Sequence, residues 1–230
     1  TSLPGGLSFG MNNGTVWGTP TELWTKTAYL VWANNSGGSS VAYLNITVID
    51  QLPNITYSPA DLVLTNNTIS TDLPLVPTLT GPGDITSWAI NGSLPAGVSF
   101  GTNNGTIYGT PTELWNTTAY TVWANNTGGS STASLNITVN DQVPTSLTYT
   151  PENLTMIRDE VSNDLPLMPA LTGPGDITSW AMNGSLPTGL SFGTNNGTIW
   201  GVPLANMTTT AYTVWANNSG GSISTTINLT

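Results

Sequence analysis

The chain has 230 residues, of which 6% are charged, and its formal net charge is −10. Two basic residues, Lys26 and Arg158, face twelve acidic ones, so no basic patch could neutralise phosphates and nucleic-acid binding is excluded. No apolar run reaches the roughly eighteen residues of a membrane-spanning helix, and no membrane insertion is expected in this segment. The chain has neither cysteine nor histidine, which excludes thiol chemistry, nucleophile–histidine relays and the usual zinc sites.

An internal repeat of 91 to 92 residues organises the chain. The segment from Ser2 to Gln51 matches Ser93 to Gln142 and Ser185 to Thr230, and the segment Leu52 to Gly92 matches Val143 to Gly184. A period near 90 fits one small sandwich domain per copy. The predicted units are residues 1–50, the trailing half of a repeat, and residues 51–141 and 142–230, two whole repeats.

Each copy begins its shared half with a predicted β-hairpin. In the second copy, Asn104-Gly105 lies between the extended segments Val98–Phe100 and Ile107–Tyr108. Asn-Gly between such segments is a strong hairpin signal, because both turn residues then take positive φ.

Two long strands with period-two alternation follow the hairpin. Tyr120, Val122 and Ala124 share one face of the first strand, and the last strand places Leu135, Ile137 and Val139 inward. Sixteen prolines, 25 glycines and no sustained 3.6-residue apolar period argue against helices. The chain is therefore predicted to be all-β. The predicted core residues of the two whole copies are Trp88, Tyr120, Val122, Leu135, Ile137 and Val139, and Trp180, Tyr212, Val214, Ile227 and Leu229.

The copies are joined by short segments that contain Asp-Gln and then Pro, at Asp50-Gln51 and Asp141-Gln142. A joint this short, stiffened by proline, favours a semi-rigid string of domains. Calcium between domains is an alternative, but one carboxylate per joint is few ligands for it, so a solvated joint and no cofactor are expected. The acidic residues differ between copies, which makes a catalytic carboxylate pair unexpected, and the chain is predicted not to be an enzyme.

Sixteen Asn-x-Ser/Thr sequons occur, and most recur at equivalent places in the copies. Sequons at this density predict an N-glycosylated extracellular surface, with sugars supplying the hydration that few charges provide. The predicted glycosylation sites are Asn13, Asn34, Asn45, Asn54, Asn66, Asn91, Asn104, Asn116, Asn125, Asn136, Asn153, Asn183, Asn196, Asn206, Asn217 and Asn228.

Six aromatic residues share strand parity with a sequon asparagine. An outward ring beside a glycosylated asparagine can stack on the first sugar and shield its apolar face. Two alternatives remain open: burial of the rings at a domain or subunit interface, and a lectin-like site for foreign carbohydrate. The candidate stacking residues are Trp17, Trp32, Tyr108, Trp123, Trp200 and Trp215.

Three strings in the second copy, Leu94–Phe100 (LPAGVSF), Asn104–Pro111 (NGTIYGTP) and Tyr120–Ser130 (YTVWANNTGGS), resemble the Ig-like family called He-PIG. The third copy departs from the pattern at Gly201-Val202-Pro203, where the family has Gly-Thr-Pro. The resemblance implies tandem Ig-like β-sandwiches in a surface protein, used as a stalk, spacer or adhesion module. It brings no catalytic residues, and sequon density is not part of the family pattern.

Together these patterns predict a non-catalytic, glycosylated structural protein outside the cell: a filament (glycofibril) or a surface stalk. Its expected partners are copies of itself in a head-to-tail polymer. The alternatives are an adhesin with a carbohydrate- or cell-binding face and a subunit of a cell-wall layer. Because half a sandwich exposes strand edges and an open core, residues 1–50 are expected to be completed by preceding residues or by a neighbouring protomer, and the former is favoured.

Overall fold

The computed structural model describes residues 2–230, and Thr1, the first residue of the predicted half-repeat, lies outside them. Every regular element of the described chain is a β-strand, so it includes no helix long and apolar enough to cross a membrane. The strands are β1 Leu7–Phe9, β2 Val16–Gly18, β3 Trp24–Asn35, β4 Gly38–Val48, β5 Ile55–Thr56, β6 Asp61–Thr65, β7 Thr78–Leu79, β8 Ser87–Ile90, β9 Val98–Phe100, β10 Ile107–Gly109, β11 Trp115–Asn126, β12 Gly129–Asn140, β13 Ser146–Tyr149, β14 Asn153–Leu154, β15 Pro169–Thr172, β16 Ser179–Met182, β17 Leu190–Phe192, β18 Ile199–Gly201, β19 Thr210–Asn218 and β20 Gly221–Leu229.

The second copy folds into two layers. One is a four-stranded sheet in the order β6-β12-β11-β8, in which β6 runs parallel to β12 and the other pairs are antiparallel. The short pairs β5–β7 and β9–β10 form outside this sheet, and an isolated bridge joins Leu75 to Ile107. Alternate residues of β11 and β12 point into one buried cluster, because successive side chains of a strand face opposite ways. All six predicted core residues, including Trp88, lie in that cluster.

The third copy repeats this architecture. Its large sheet has the order β14-β20-β19-β16, with β14 parallel to β20, beside the pairs β13–β15 and β17–β18. The five predicted core residues of this copy lie in its buried cluster, including Trp180, which is 7% exposed. The prediction of an all-β chain of tandem sandwiches is confirmed.

Residues 2–50 form two hairpins, β1–β2 and β3–β4. Leu44, Ile46 and Val48 are half-buried, whereas their counterparts Leu135, Ile137 and Val139 are buried. Tyr29 is the one buried large hydrophobic residue among residues 2–50. This half-repeat thus has the hairpins of a sandwich without the layer that closes it.

The Asn-Gly turns differ from their prediction. Positive φ occurs at Gly14, Gly105 and Gly197, at 68–70°, but the preceding asparagines do not have it. The loop is longer than a two-residue hairpin turn: in the first copy Gly10 N–H donates to Thr15 O, and Gly14 N–H donates back to Gly10 O. The asparagine contributes to this turn through its side chain and not through a positive φ.

Candidate functional site

The hairpin sequons Asn13, Asn104 and Asn196 are exposed at the tips of their turns. In each, Oδ1 accepts the backbone N–H of the threonine two residues later, at 3.1 Å. This turn closed by an asparagine side chain holds Oδ1 against the backbone and leaves Nδ2, the atom that a glycan modifies, for the solvent side. Asn-x-Thr therefore forms the turn, and the same triplet is the predicted acceptor sequence.

The hairpin aromatics lie beside these asparagines. A Cβ built on Gly10 would lie 3.0 Å from Cζ3 of Trp17 and even closer to Oδ1 of Asn13. Gly193 has the same two neighbours in the third copy, with Cζ3 of Trp200 at 3.2 Å. The ring and the asparagine thus flank one glycine, which brings together the pair that strand parity suggested.

The sheet-face sequons Asn125 and Asn217 are half-buried, unlike the exposed Asn34. Nδ2 of Asn125 lies 3.3 Å from Ser87 Oγ, and the equivalent pair is Asn217 with Ser179. Ser87 belongs to β8, the strand that the leading half of the copy adds beside β11. Strand parity did not predict this neighbouring strand, which leaves the two asparagines only partly exposed.

The last-strand sequons show the same division. Asn45 is exposed, but Asn136 Nδ2 donates to Asp61 Oδ1 at 2.7 Å, and Asn228 Nδ2 donates to Asn153 Oδ1 at 2.7 Å. The partners come from β6 and β14, the strands parallel to the last strand of each copy. An amide carries two N–H groups, so an attached glycan leaves one N–H for this bond.

The remaining sequons lie in loops or at strand ends. Asn91 and Asn183 are exposed, and their Oδ1 atoms accept the N–H of Thr121 and Thr213 at 2.6 Å. Asn66 is the least accessible of the set, since its Oδ1 is buried without a hydrogen-bond partner among the described residues. The other exposed sequons are Asn54, Asn116, Asn153 and Asn206.

Four of the six candidate stacking rings are exposed: Trp17 at 53%, Trp32 at 59%, Tyr108 at 48% and Trp200 at 44%. Trp123 and Trp215 are half-buried on the outer face of their sheets, between neighbours on both flanking strands. Burial between the repeats of this chain is therefore excluded for the four exposed rings.

The joint between the second and third copies is built on Asp141. Its N–H donates to Ser219 Oγ at 2.8 Å, and its carboxylate accepts the N–H groups of Gln142 and Asp176 at 2.8 and 2.9 Å. Asn218 Nδ2 donates to Gln142 O at 2.6 Å. The backbone of Asp141 and Gln142 thus holds the Asn-Ser-Gly-Gly turn between β19 and β20. The carboxylate binds Gln142 and Asp176 through hydrogen bonds to a charged group, which are stronger than neutral ones.

Gln142 extends this joint to the preceding copy, because its Nε2 donates to Asn66 O at 2.8 Å. The joint before the second copy repeats the anchor, with Asp50 bound to Thr127 and Asp84. The joint residues are therefore tied by specific hydrogen bonds while remaining partly exposed to solvent. Asp-Gln and the turn Asn-(Thr/Ser)-Gly-Gly recur together in the repeats. This joint recurrence was the sequence signal that could have predicted their contact, and sequence reasoning missed it.

Within residues 2–230 there is no cluster of three or more acidic side chains that could hold a metal ion.

The comparison with protein families gives a direct result, because the model described as "Putative Ig domain" (He_PIG) matches residues 53–140 and 143–230. The chain belongs to this family. The matched ranges cover the two whole sandwiches.

Among curated proteins, this Ig domain chain is similar to the "Serine-rich adhesin for platelets" of Staphylococcus aureus. The adhesin of strain MRSA252 is 30% identical over 137 residues, which cover 58% of this chain and 10% of the adhesin. The adhesin of strain USA300 gives the same identity over 6% of its length. The chain thus spans a tenth or less of these relatives.

Two solved structures that match this chain have TM-scores below 0.5. An I-band fragment of titin is 14% identical with a TM-score of 0.44, covering 100% of this chain and 83% of the fragment. Extracellular domains 3–5 of Drosophila OTK are 16% identical with a TM-score of 0.45, covering 98% of this chain and 77% of that one.

Proposed function

We propose that these Ig domain repeats form a heavily N-glycosylated structural element outside the cell, a filament or surface stalk assembled head to tail from copies of itself. The observation that carries this proposal is the placement of the sequons. All sixteen asparagines are exposed or half-buried, and those of the hairpin tips recur with the same hydrogen bond in every copy. A repeated set of outward-facing asparagines, each a potential site of glycan attachment, suits a continuous coat of sugars.

The low charge supports the same function. With 6% charged residues against about 25% in an ordinary soluble domain, the protein surface needs another source of hydration, and glycans supply it. Exposed rings next to the asparagines, such as Trp17 beside Asn13, would otherwise favour association. The first sugar stacked on such a ring covers apolar surface and fixes the direction of the glycan.

The joints support the structural part of the proposal. The Asp141 anchor and the bond from Gln142 to Asn66 hold adjacent copies by polar contacts on both sides. Repeated joints of one geometry produce a semi-rigid element, as a filament or stalk requires.

The second candidate function is adhesion. It is favoured by the likeness to a protein named as an adhesin and by the exposed aromatic rings, which suit carbohydrate ligands. In this reading the same string of domains presents a binding face to cells or polysaccharide.

Negative-stain microscopy of the native material separates these functions. A structural filament forms regular fibres without added ligand. Isolated rods that bind a glycan array would instead establish the adhesin, and a planar lattice would establish a cell-wall layer.

A further inference from the structure

The half-repeat of residues 2–50 carries an unfilled groove. Phe9, Val16, Tyr29, Val31 and Leu44 are among the side chains that line it, and its volume is about 370 Å³. We call these five residues the open face. In the second copy the equivalent side is occupied by residues 51–92, which we call the leading half-repeat.

The tryptophan of the leading half-repeat shows what the open face lacks. A Cβ built on Gly105 would lie 2.5 Å from Cε3 of Trp88, because the indole packs directly on that glycine. Gly197 is covered by Trp180 in the same way. At Gly14, the third equivalent glycine, no atom of residues 2–230 comes within 4 Å of such a Cβ. The glycine is present in all three copies, and the described ring that covers it is present in two.

The strand edges show a second complementarity. In the second copy β6 pairs with the end of β12, and β8 pairs with Val122–Asn125 of β11. The equivalent edges of β4 and β3 pair with no strand of residues 2–230. A docked segment with strands like β6 and β8 would satisfy both rows of backbone groups.

The joint residues show a third complementarity. The turn Asn126–Gly129 holds Asp50 and Gln51, and a Cβ on Gly128 would collide with Asp50 O. In the first copy the equivalent Gly37 has only the nearby Asn35 side chain within 4 Å among the described residues. The exposed Gln51 is likewise placed as Gln142 is, and Gln142 donates to a carbonyl of the preceding leading half-repeat.

We propose that the open face binds a polypeptide with the sequence pattern of residues 50–92, contributed by a further repeat of the same family. Its tryptophan covers Gly14, its strands equivalent to β6 and β8 pair with β4 and β3, and its Asp-Gln anchors on the turn at residues 35–38. The bound segment completes a third sandwich. This docking does not depend on glycans. A failed binding experiment would therefore overturn the docking and leave the proposed glycan coat untouched.

The test uses the unglycosylated 230-residue chain and, as probe, a synthetic polypeptide with the sequence of residues 50–92. Calorimetry is expected to show one probe bound per chain, and hydrogen exchange is expected to slow at least tenfold at the amides of β3 and β4. A probe with Trp88→Ala is expected to bind at least tenfold more weakly. That probe leaves the chain itself unaltered, so its result is independent of any folding defect.

Variants of the chain locate the contact. The double variant Val31→Asp/Leu44→Asp on the open face is expected to abolish binding, and Tyr43→Asp, on the same strand but 76% exposed, to retain it. Absence of binding, or equal binding to the double variant, would overturn the proposal. Concentration-dependent dimerisation of the chain without probe, lost in the double variant, would also overturn it by making a second copy the occupant.

Discussion

Trp88 and Gly105 are in close contact and link the two halves of the second copy. The indole lies on a glycine whose φ is +70°, so a side chain at this position meets both backbone strain and the ring. The sequence predicted this tryptophan as a core residue. It could not predict the glycine contact, because that contact depends on how the two layers meet in space.

Truncating this tryptophan tests the core assignment. Trp88→Ala is expected to destabilise the second copy by about 3–5 kcal/mol, the usual loss for a buried tryptophan. Thermal unfolding measures the effect, with Trp32→Ala, 59% exposed, as the control. An unchanged melting temperature for Trp88→Ala would contradict the assignment.

The glycine offers a matched comparison. Gly105→Ala is expected to lower the melting temperature of the second copy through positive-φ strain of about 1–2 kcal/mol and overpacking of about 1–3 kcal/mol. Gly14→Ala is expected to introduce only the positive-φ backbone strain, since no described atom lies near its Cβ position. Its effect is confined to the first half-repeat, as hydrogen exchange at β1 and β2 can show. Equal loss of stability of the second copy in both variants would refute the contact.

Two buried tyrosines predict a pH dependence. Burial raises the pKa of Tyr57 and Tyr149 above the ordinary value of 10.0, and each phenol donates to a hairpin carbonyl, Gly105 O or Gly197 O. Because the folded pKa is raised, this contribution to stability is fully present below pH 10 and is lost as the pH rises toward the folded pKa. Urea unfolding between pH 8 and 12 should show stability falling above pH 10, less steeply in Tyr57→Phe. The exposed Tyr43→Phe is the control, and identical slopes for all three proteins would contradict the prediction.

At the scale of elements, the hairpins and long strands were predictable and their lateral neighbours were not. Alternation in β11 and β12 gave the buried faces correctly, since period two fixes which side chains share a face. The parallel addition of β6 to β12 joins residues about 75 positions apart, and no local pattern encodes it. For that reason the engaged amide of Asn136 could not be foreseen from parity. The amide of Asn125 was missed because parity does not show that β8 lies beside β11.

The joint gives the prediction at this scale. Asp141→Ala removes the acceptor of the Gln142 and Asp176 N–H groups, so the angle between the second and third copies should broaden while both cores stay folded. Small-angle scattering should then show a wider distribution of lengths, with melting temperatures little changed. The control is Asp164→Ala, an exposed residue of the third copy whose carboxylate makes no hydrogen bond within residues 2–230. A distribution as narrow as that of the control would show that the carboxylate does not set the joint.

At the scale of the whole molecule, the repeat and the low charge are evident from the sequence alone. They lead to a prediction about solubility. If glycans hydrate a surface with 6% charged residues, enzymatic deglycosylation of the native protein should cause aggregation, since exposed rings such as Trp17 and Trp32 lose their cover. Light scattering before and after treatment measures this, with heat-inactivated enzyme as the control. A deglycosylated protein that stays monodisperse at high concentration would refute the role of the sugars.

The most direct measurement is intact-glycopeptide mass spectrometry of the native protein. Glycans are expected on the nine sequons shared by all three copies: Asn13, Asn104, Asn196, Asn34, Asn125, Asn217, Asn45, Asn136 and Asn228. The hairpin sites should be the most fully occupied, because their Oδ1 atoms are fixed and their Nδ2 atoms face solvent. Native protein in which these nine asparagines are mostly bare would contradict the account of a glycosylated structural element.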